Sequence, residues 1–391
     1  MHKDKEYDND NDIAEAFNNF YGSIAEKTKA KIVNTNTTFD EFMPRPNQNT
    51  FFAVPTTAVE IADLIRNLNT NSAVGPRSIR SDILKLIFPS VSPMLSQIFN
   101  ECLIEGIFPD CLKTAQITPV HKKDSLIEIE NYRPISLLSN IGKLFEKLLH
   151  DRIYKFFEKE NLLFNKQFGF RKHHNTSHAI IALTESIRNS LRKKEYSVGV
   201  FVDLQKAFDT VEHDILIKKL DTYGLRGTSN NLLKSYLSNR KHNVKIRKSI
   251  SKSLDLKHGV PQGSVLGPLL FLIYINDLHR AIDHSETYHF ADDTCLLNKN
   301  TSLKQLNKQT NHDLRRLVDW LRCNKISLNA SKTEIILFKG KHEVIEKKLH
   351  FKLSGQKLTL KNHVKYLGIY LDEHLDWKKI LIFFSRNFLD Q

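Results

Sequence analysis

Asp203, Asp292 and Asp293 are the residues whose type and setting first suggest chemistry in this chain. Asp292 and Asp293 adjoin within residues 287–297, Thr-Tyr-His-Phe-Ala-Asp-Asp-Thr-Cys-Leu-Leu. The apolar and β-branched flanks predict strand, tight turn and strand, with both acids at the tip. Adjacent carboxylates repel, and a hairpin does not need them. A solvated turn is the plain reading; a bound hard divalent cation is the chemical one. Asp203 ends the run Ser-Val-Gly-Val-Phe-Val-Asp at 197–203, apolar on both faces of a period-2 pattern, so a buried strand is predicted to deliver this carboxylate at its end. Three such carboxylates could hold two Mg²⁺ about 3.5–4 Å apart for in-line phosphoryl displacement, with Mn²⁺ as an alternative. Asp209, followed by Glu212 and then by Ile215 and Leu216, reads as the N-cap of the next helix, a structural role.

Between the acidic segments lies Gly-Val-Pro-Gln-Gly-Ser-Val-Leu-Gly-Pro at 259–268, running into Leu-Leu-Phe-Leu-Ile-Tyr-Ile. Pro268 suits the first position of a buried helix, and Gly263 and Gly267 would let the backbone approach a ligand closely. The order Phe-Val-Asp-Leu-x-x-Ala-Phe-Asp, Pro-Gln-Gly-Ser-x-Leu-Gly-Pro, Phe-Ala-Asp-Asp resembles the catalytic palm of reverse transcriptases of non-LTR (LINE-type, jockey-like) retrotransposons. The likeness extends over roughly residues 73–378. It includes Ala-Val-Gly-Pro-Arg at 73–77, where Arg77 stands in place of the family's usual Asp, and Val-Lys-Tyr-Leu-Gly-Ile-Tyr-Leu-Asp at 364–372, which resembles the primer-grip hairpin.

This resemblance implies an α+β fold, a right-hand polymerase with fingers and palm, an antiparallel palm sheet with packed helices, and a thumb largely missing. It divides the chain into an N-terminal helix and linker at 1–55, a helical segment at 56–102, a reverse transcriptase domain at 103–372 and a truncated tail at 373–391. No endonuclease acids or His are found ahead of the palm. The implied activity is RNA-directed DNA synthesis, extending a DNA primer on an RNA template with dNTPs. Asp203, Asp292 and Asp293 would be catalytic metal ligands. Lys332 would be a catalytic proton donor to the leaving pyrophosphate. Arg133, Arg171, Phe208, Gln262 and Gly263 would bind the nucleotide, Phe208 by excluding the ribose 2′-OH. Each has a plain counterpart: an arginine paired with a structural acid, a core Phe, a surface Lys. Two other functions compete, a catalytically inactive RNA-binding relative and an RNA-synthesising palm enzyme; Phe208, five residues past Asp203, argues against the latter.

The remaining elements must position these groups. Ile13, Phe17, Phe20 and Ile24 form one helical stripe, residues 35–50 read as a linker, and Thr57 with Glu60 predicts a capping box. Thr176 is expected to cap a helix over 177–192. His174 and His178 lack further ligands at zinc spacing and read as part of a basic cluster with Arg171 and Lys172. At 239–248, Val244 and Ile246 alternate with Lys245 and Arg247. A backbone-binding basic face and a charge-protected edge strand account for that pattern equally well. Helical spacing predicts a helix over 303–321, and 335–338 reads as a strand.

The net charge is +14, from 58 Lys and Arg against 44 Asp and Glu, which favours a polyanionic partner. With 40% hydrophobic and 26% charged residues the composition is that of a globular protein. Four scattered cysteines read as free thiols in a reducing compartment. The first ten residues carry no apolar core of a leader and no long apolar run is present. The expectation is therefore an intracellular protein, cytoplasmic and nuclear, without a membrane partner.

Overall fold

The structure, a computed structural model, describes residues 7–376 apart from 34, 71, 72, 77, 123, 342, 344 and 346–348. The expectations for Arg77 and for most of the 373–391 tail fall outside the described residues. The described chain is mixed, with helices and mixed sheets, and it falls into two compact units whose segments interleave along the sequence.

The first unit comprises residues 1–31, 44–162 and 206–274. Its helices are α1 (Asp10–Lys29), α2 (Ala58–Arg66), α3 (Ser81–Glu105), α4 (Asn140–Lys159), α6 (His213–Thr222), α7 (Thr228–Leu237) and most of α8 (Gly267–Ile275). Its sheet runs β2 (Tyr132–Leu137), β1 (Thr114–His121), β5 (Arg240–Ile246), β6 (Ser249–Ile250), with β7 (Leu254–Leu256) also on β5. β1 and β5 pair in parallel, and the other pairs are antiparallel. The apolar stripe of α1 packs Phe17 and Ile24 with Ile117, Ile129 and Val244. Asn9 caps the helix, and Lys29 at its end reaches Glu212 and His258. Thr57 caps α2 by accepting from the Glu60 amide, while the Glu60 carboxylate turns to Thr56 and Arg152 instead of closing the box.

The expectation of an edge strand at 239–248 is corrected. β5 has neighbours on both sides, and its basic residues divide between its faces: Lys241 and Lys245 are exposed, whereas Arg240 and His242 are buried. Arg240 lies over the Tyr236 ring, and burial raises the Glu146 carboxyl against the opposing pull of the Arg240 charge.

The second unit comprises residues 32–43, 163–205 and 275–391. Its main sheet is ordered β14 (Leu360–Lys361), β11 (Glu334–Phe338), β3 (Tyr196–Val202), β9 (Asp293–Asn300), β8 (Glu286–Phe290), antiparallel except for β14 on β11. β4 (Leu204–Gln205) pairs with β10 (Ser327–Leu328). Two further hairpins join β12 (Phe351–Leu353) to β13 (Gln356–Leu358) and β15 (His363–Tyr366) to β16 (Ile369–Asp372). α5 (Thr176–Arg192) sets Ala179, Leu183 and Ile187 against Phe201, Cys295 and Leu297, and α9 (Leu303–Cys323) packs on β3 and β9.

Here two sequence expectations are revised. Asn175, not Thr176, caps α5, its side chain accepting from His178 N at 3.0 Å. The expected linker also contributes to a core: Phe39 and Phe42 form a buried 3₁₀ turn, with the Arg316 guanidinium over Phe42. Among the described residues no helix is long and apolar enough to cross a membrane, and all four cysteines are free.

Candidate active site

The acidic group belongs to the second unit. Ladder pairing of β3 with β9 ends at Val202 opposite Thr294, so Asp203 and Asp293 are the next residues on two adjacent strands. β8 and β9 close through Phe290 opposite Asp293, leaving Ala291 and Asp292 as a two-residue turn. Asp292 is therefore at the tip, while Asp293 opens the returning strand, a refinement of the pattern that put both at the tip. Ala291 has φ 56°, a left-handed conformation that a hairpin turn needs and that costs a residue with a Cβ about 1–2 kcal/mol.

Two further segments adjoin these acids. The turn between β10 and β11 is tied to Asp203 by Asn329 N donating to its carbonyl at 2.9 Å, and Lys332 N closes the same turn onto Asn329 O at 3.2 Å. Lys332 is exposed there. Residues 166–169 run beside β8, with Phe168 N on His289 O at 2.8 Å and His289 N on Lys166 O at 2.9 Å. Arg171 follows and donates from Nη1 to Phe164 O at 3.1 Å. His174 and His178 sit edge to face with centroids 6.3 Å apart, and His174 Nδ1 lies 2.9 Å from Lys172 O.

The base of the hairpin is tied electrostatically. Glu286 accepts from Lys166 at 2.8 Å, from Tyr288 Oη at 2.6 Å and from Ser186 at 3.1 Å, and it pairs with Lys299. Burial pushes its pKa up, but these hydrogen bonds outweigh burial and hold it at about 2.

The remaining sequence-derived residues belong to the first unit, where three motif segments are locked together. Val260 N donates to Phe208 O at 2.9 Å and Gly259 N to Val211 O at 2.8 Å. Ser136 N donates to Gln262 O at 2.8 Å. The Gln262 amide nitrogen reaches Asp209 Oδ1 at 2.8 Å. Phe208 is half-buried and stacks on Phe271 of α8, centroids 4.3 Å apart at 22°. Arg133 is exposed on β2.

One expectation is corrected in this unit. Asp209 is not an N-cap: α6 begins at His213 after Glu212, and Asp209 ends a 3₁₀ turn facing Gln262. The signal was its partner, distant in sequence. Burial raises the Asp209 carboxyl to about 6, against the opposing pull of Gln262 and Lys206. Gly263, at φ 109°, lies close to its own protein neighbours: an added Cβ would lie 2.7 Å from Ser136 O. At Gly267 it would lie 2.4 Å from Ser264 Oγ.

Carboxylates at a strand end and on the adjoining turn suit Mg²⁺ or Mn²⁺ by type, since such ions bind through a few carboxylates plus substrate phosphates. Among the described residues the group whose ligand atoms all lie within 4.8 Å of one another is a different one, His284, His312 and Asp313. Its acid is already engaged, because Asp313 accepts from the amides of Asp283, His284 and Ser285 and from the Ser285 hydroxyl. His312 Nε2 meets Asp283 at 2.7 Å. This group pins a loop.

A family model described as reverse transcriptase (RNA-dependent DNA polymerase) matches residues 120–371. The chain is 34% identical over 335 residues to the probable RNA-directed DNA polymerase from transposon BS of Drosophila melanogaster, covering 82% of this chain and 36% of that protein. It is 28% identical over 348 residues to the RNA-directed DNA polymerase from mobile element jockey of the same species, covering 87% and 38%. It is 32% identical over 325 residues to the probable RNA-directed DNA polymerase from transposon X-element, also of that species, covering 82% and 35%. The chain thus spans little more than a third of the length of these curated relatives.

Proposed function

The chain belongs to the reverse transcriptase (RNA-dependent DNA polymerase) family, and we propose from that membership that it extends a primer 3′-OH with dNTPs on an RNA template. The observation that carries this reading is the register of β3 and β9, which makes Asp203 and Asp293 neighbours with Asp292 on the adjoining turn. The unit containing this sheet would be the palm, and β1, β2 and β5 would belong to the fingers.

In the reaction the primer 3′ oxygen attacks the α-phosphorus, the bond to the β-phosphate oxygen breaks, and pyrophosphate leaves. Asp203, Asp292 and Asp293 would hold two divalent ions, Mg²⁺ foremost. Such ions lower the pKa of the 3′-OH and neutralise charge on the triphosphate. Lys332, exposed on the turn tied to the Asp203 carbonyl, would give a proton to the departing oxygen. Arg133 and Arg171 would pair with phosphate oxygens. Phe208 would meet the sugar, and Gln262 and Gly263 would border the nucleotide, with the Gln262 amide oriented by Asp209.

Primer extension by the purified chain on an RNA template with Mg²⁺ and dNTPs tests the reading. Asp292→Asn should lose at least a hundredfold in rate with an unchanged melting temperature, because a neutral amide of equal size replaces a charged ligand. A folded D292N chain that extends primers normally would remove Asp292 from the metal site. A parent chain that binds RNA without synthesis would make it a binding relative.

A further inference from the structure

Gln167 is buried, and its amide oxygen accepts two main-chain hydrogen bonds: from Ala291 N at 3.0 Å and from Gly169 N at 2.9 Å. The first of these donors belongs to the left-handed residue immediately before Asp292. The Ala291 amide is itself buried, and the hairpin ladder provides it no partner, since Phe290 and Asp293 already close the turn. Gln167 thus satisfies a donor that would otherwise be stranded, and it does so at a residue held in the left-handed region.

Gly169 makes this contact accessible. A Cβ there would lie 2.3 Å from Ala291 N and 2.9 Å from the Phe290 carbonyl carbon, so only glycine lets the 166–169 backbone lie flush against the turn. The hydrogen bonds of Phe168 and His289 fix the segment's register, Gln167 bridging His289 in parallel. A neutral acceptor is the appropriate choice, because a carboxylate at this buried position would add a negative charge close to Asp292 and Asp293.

We propose that Gln167 is a positioning residue for the metal-binding carboxylates: its amide oxygen holds the Ala291 turn in the conformation that presents Asp292 and begins the strand of Asp293. This rests on the reading of Asp203, Asp292 and Asp293 as metal ligands. Gln167 acts through the turn and touches no reacting atom. Groups that orient metal ligands from behind typically change metal affinity by 10–100-fold when removed.

The test measures Mn²⁺ binding by electron paramagnetic resonance, primer extension as a function of Mg²⁺, and the melting temperature without metal. It compares the parent chain, Gln167→Met, Gln167→Met with Ala291→Gly, and Asp292→Asn. Methionine keeps length and volume but offers no strong acceptor. The expected result is Mn²⁺ binding at least tenfold weaker in Q167M, a matching shift of the Mg²⁺ requirement, and near-parental extension at saturating Mg²⁺. Adding Ala291→Gly should recover much of the affinity, because glycine adopts the left-handed conformation without a clash. If D292N binds Mn²⁺ as the parent does, the metal-ligand reading itself fails. If D292N loses Mn²⁺ while folded Q167M binds it like the parent, the proposal is overturned. A Q167M chain that unfolds and is not recovered by Ala291→Gly would make Gln167 a packing residue and overturn it equally.

Discussion

Phe208 has one face against Phe271 and remains half out of the core, so packing and a substrate-facing role can share the ring. Phe208→Val should cost about 1 kcal/mol, the worth of the lost ring pair, and should raise rNTP incorporation relative to dNTP with metal dependence unchanged. Parallel extension assays with each nucleotide type measure it; an intact dNTP preference in a folded, active variant discards the sugar gate. Asp209 makes a different prediction. Its folded pKa of about 6 lies above the ordinary 3.8, so folding takes up a proton between those values. Below the window the group is neutral in both states. As pH rises through it, the folded chain acquires a buried charge and loses about 3 kcal/mol from this group, at about 1.36 kcal/mol per pKa unit. Asp209→Asn stays neutral and can still accept from Gln262. It should therefore be more stable than the parent at pH 7 and no more stable at about pH 4, as urea denaturation at the two pH values would read. The local sequence pointed to a cap here because its cue, an acid followed by a helical repeat, is short-range, while the group that engages Asp209 comes from the 259–268 loop.

The acidic hairpin is an element with its own fastenings, and Glu286 at its base is one of them. Because its pKa is depressed from 4.5 to about 2, the stability it lends is present above 4.5 and is lost as pH falls toward 2. Its side chain is about a third exposed, so solvent screening limits its worth: Glu286→Gln should cost about 1 kcal/mol in low salt and less in high salt, measured by thermal unfolding at both. The elements that carry the acids were legible because each states its period within its own residues. Val198, Val200 and Val202 alternate and form β3, and the stripe over 303–321 becomes α9. β5 was not legible in the same way. Alternating charge looks alike on an exposed edge and on a central strand, and the inward turn of Arg240 depends on Tyr236 and on the distant Glu146. Nor does composition reveal that Phe39 and Phe42, inside an Asn- and Thr-rich stretch, are buried.

At the scale of the whole molecule the charge of +14 makes one further prediction, about RNA. For about six phosphate contacts, affinity should fall about a thousandfold between 50 and 200 mM salt, whereas a flat titration would leave the basic residues as solvated surface. The exposed Lys245 and Lys248 are available for such contacts. Lys241 and Arg247 are drawn toward Asp255 and Asp10. The position of β3 has a consequence for how the chain is made. Gly199 lies between Leu297 on one side and Ile336 on the other, both far downstream. On a ribosome, the valine-rich strand that ends in Asp203 emerges with both edges bare, and it stays so until β9 and then β11 have been synthesised. During that interval it is the kind of segment that pairs with a neighbouring nascent chain or occupies a chaperone. A message broken before the codons for β11 would yield a product that has every acid of the site and yet cannot complete the sheet that holds them.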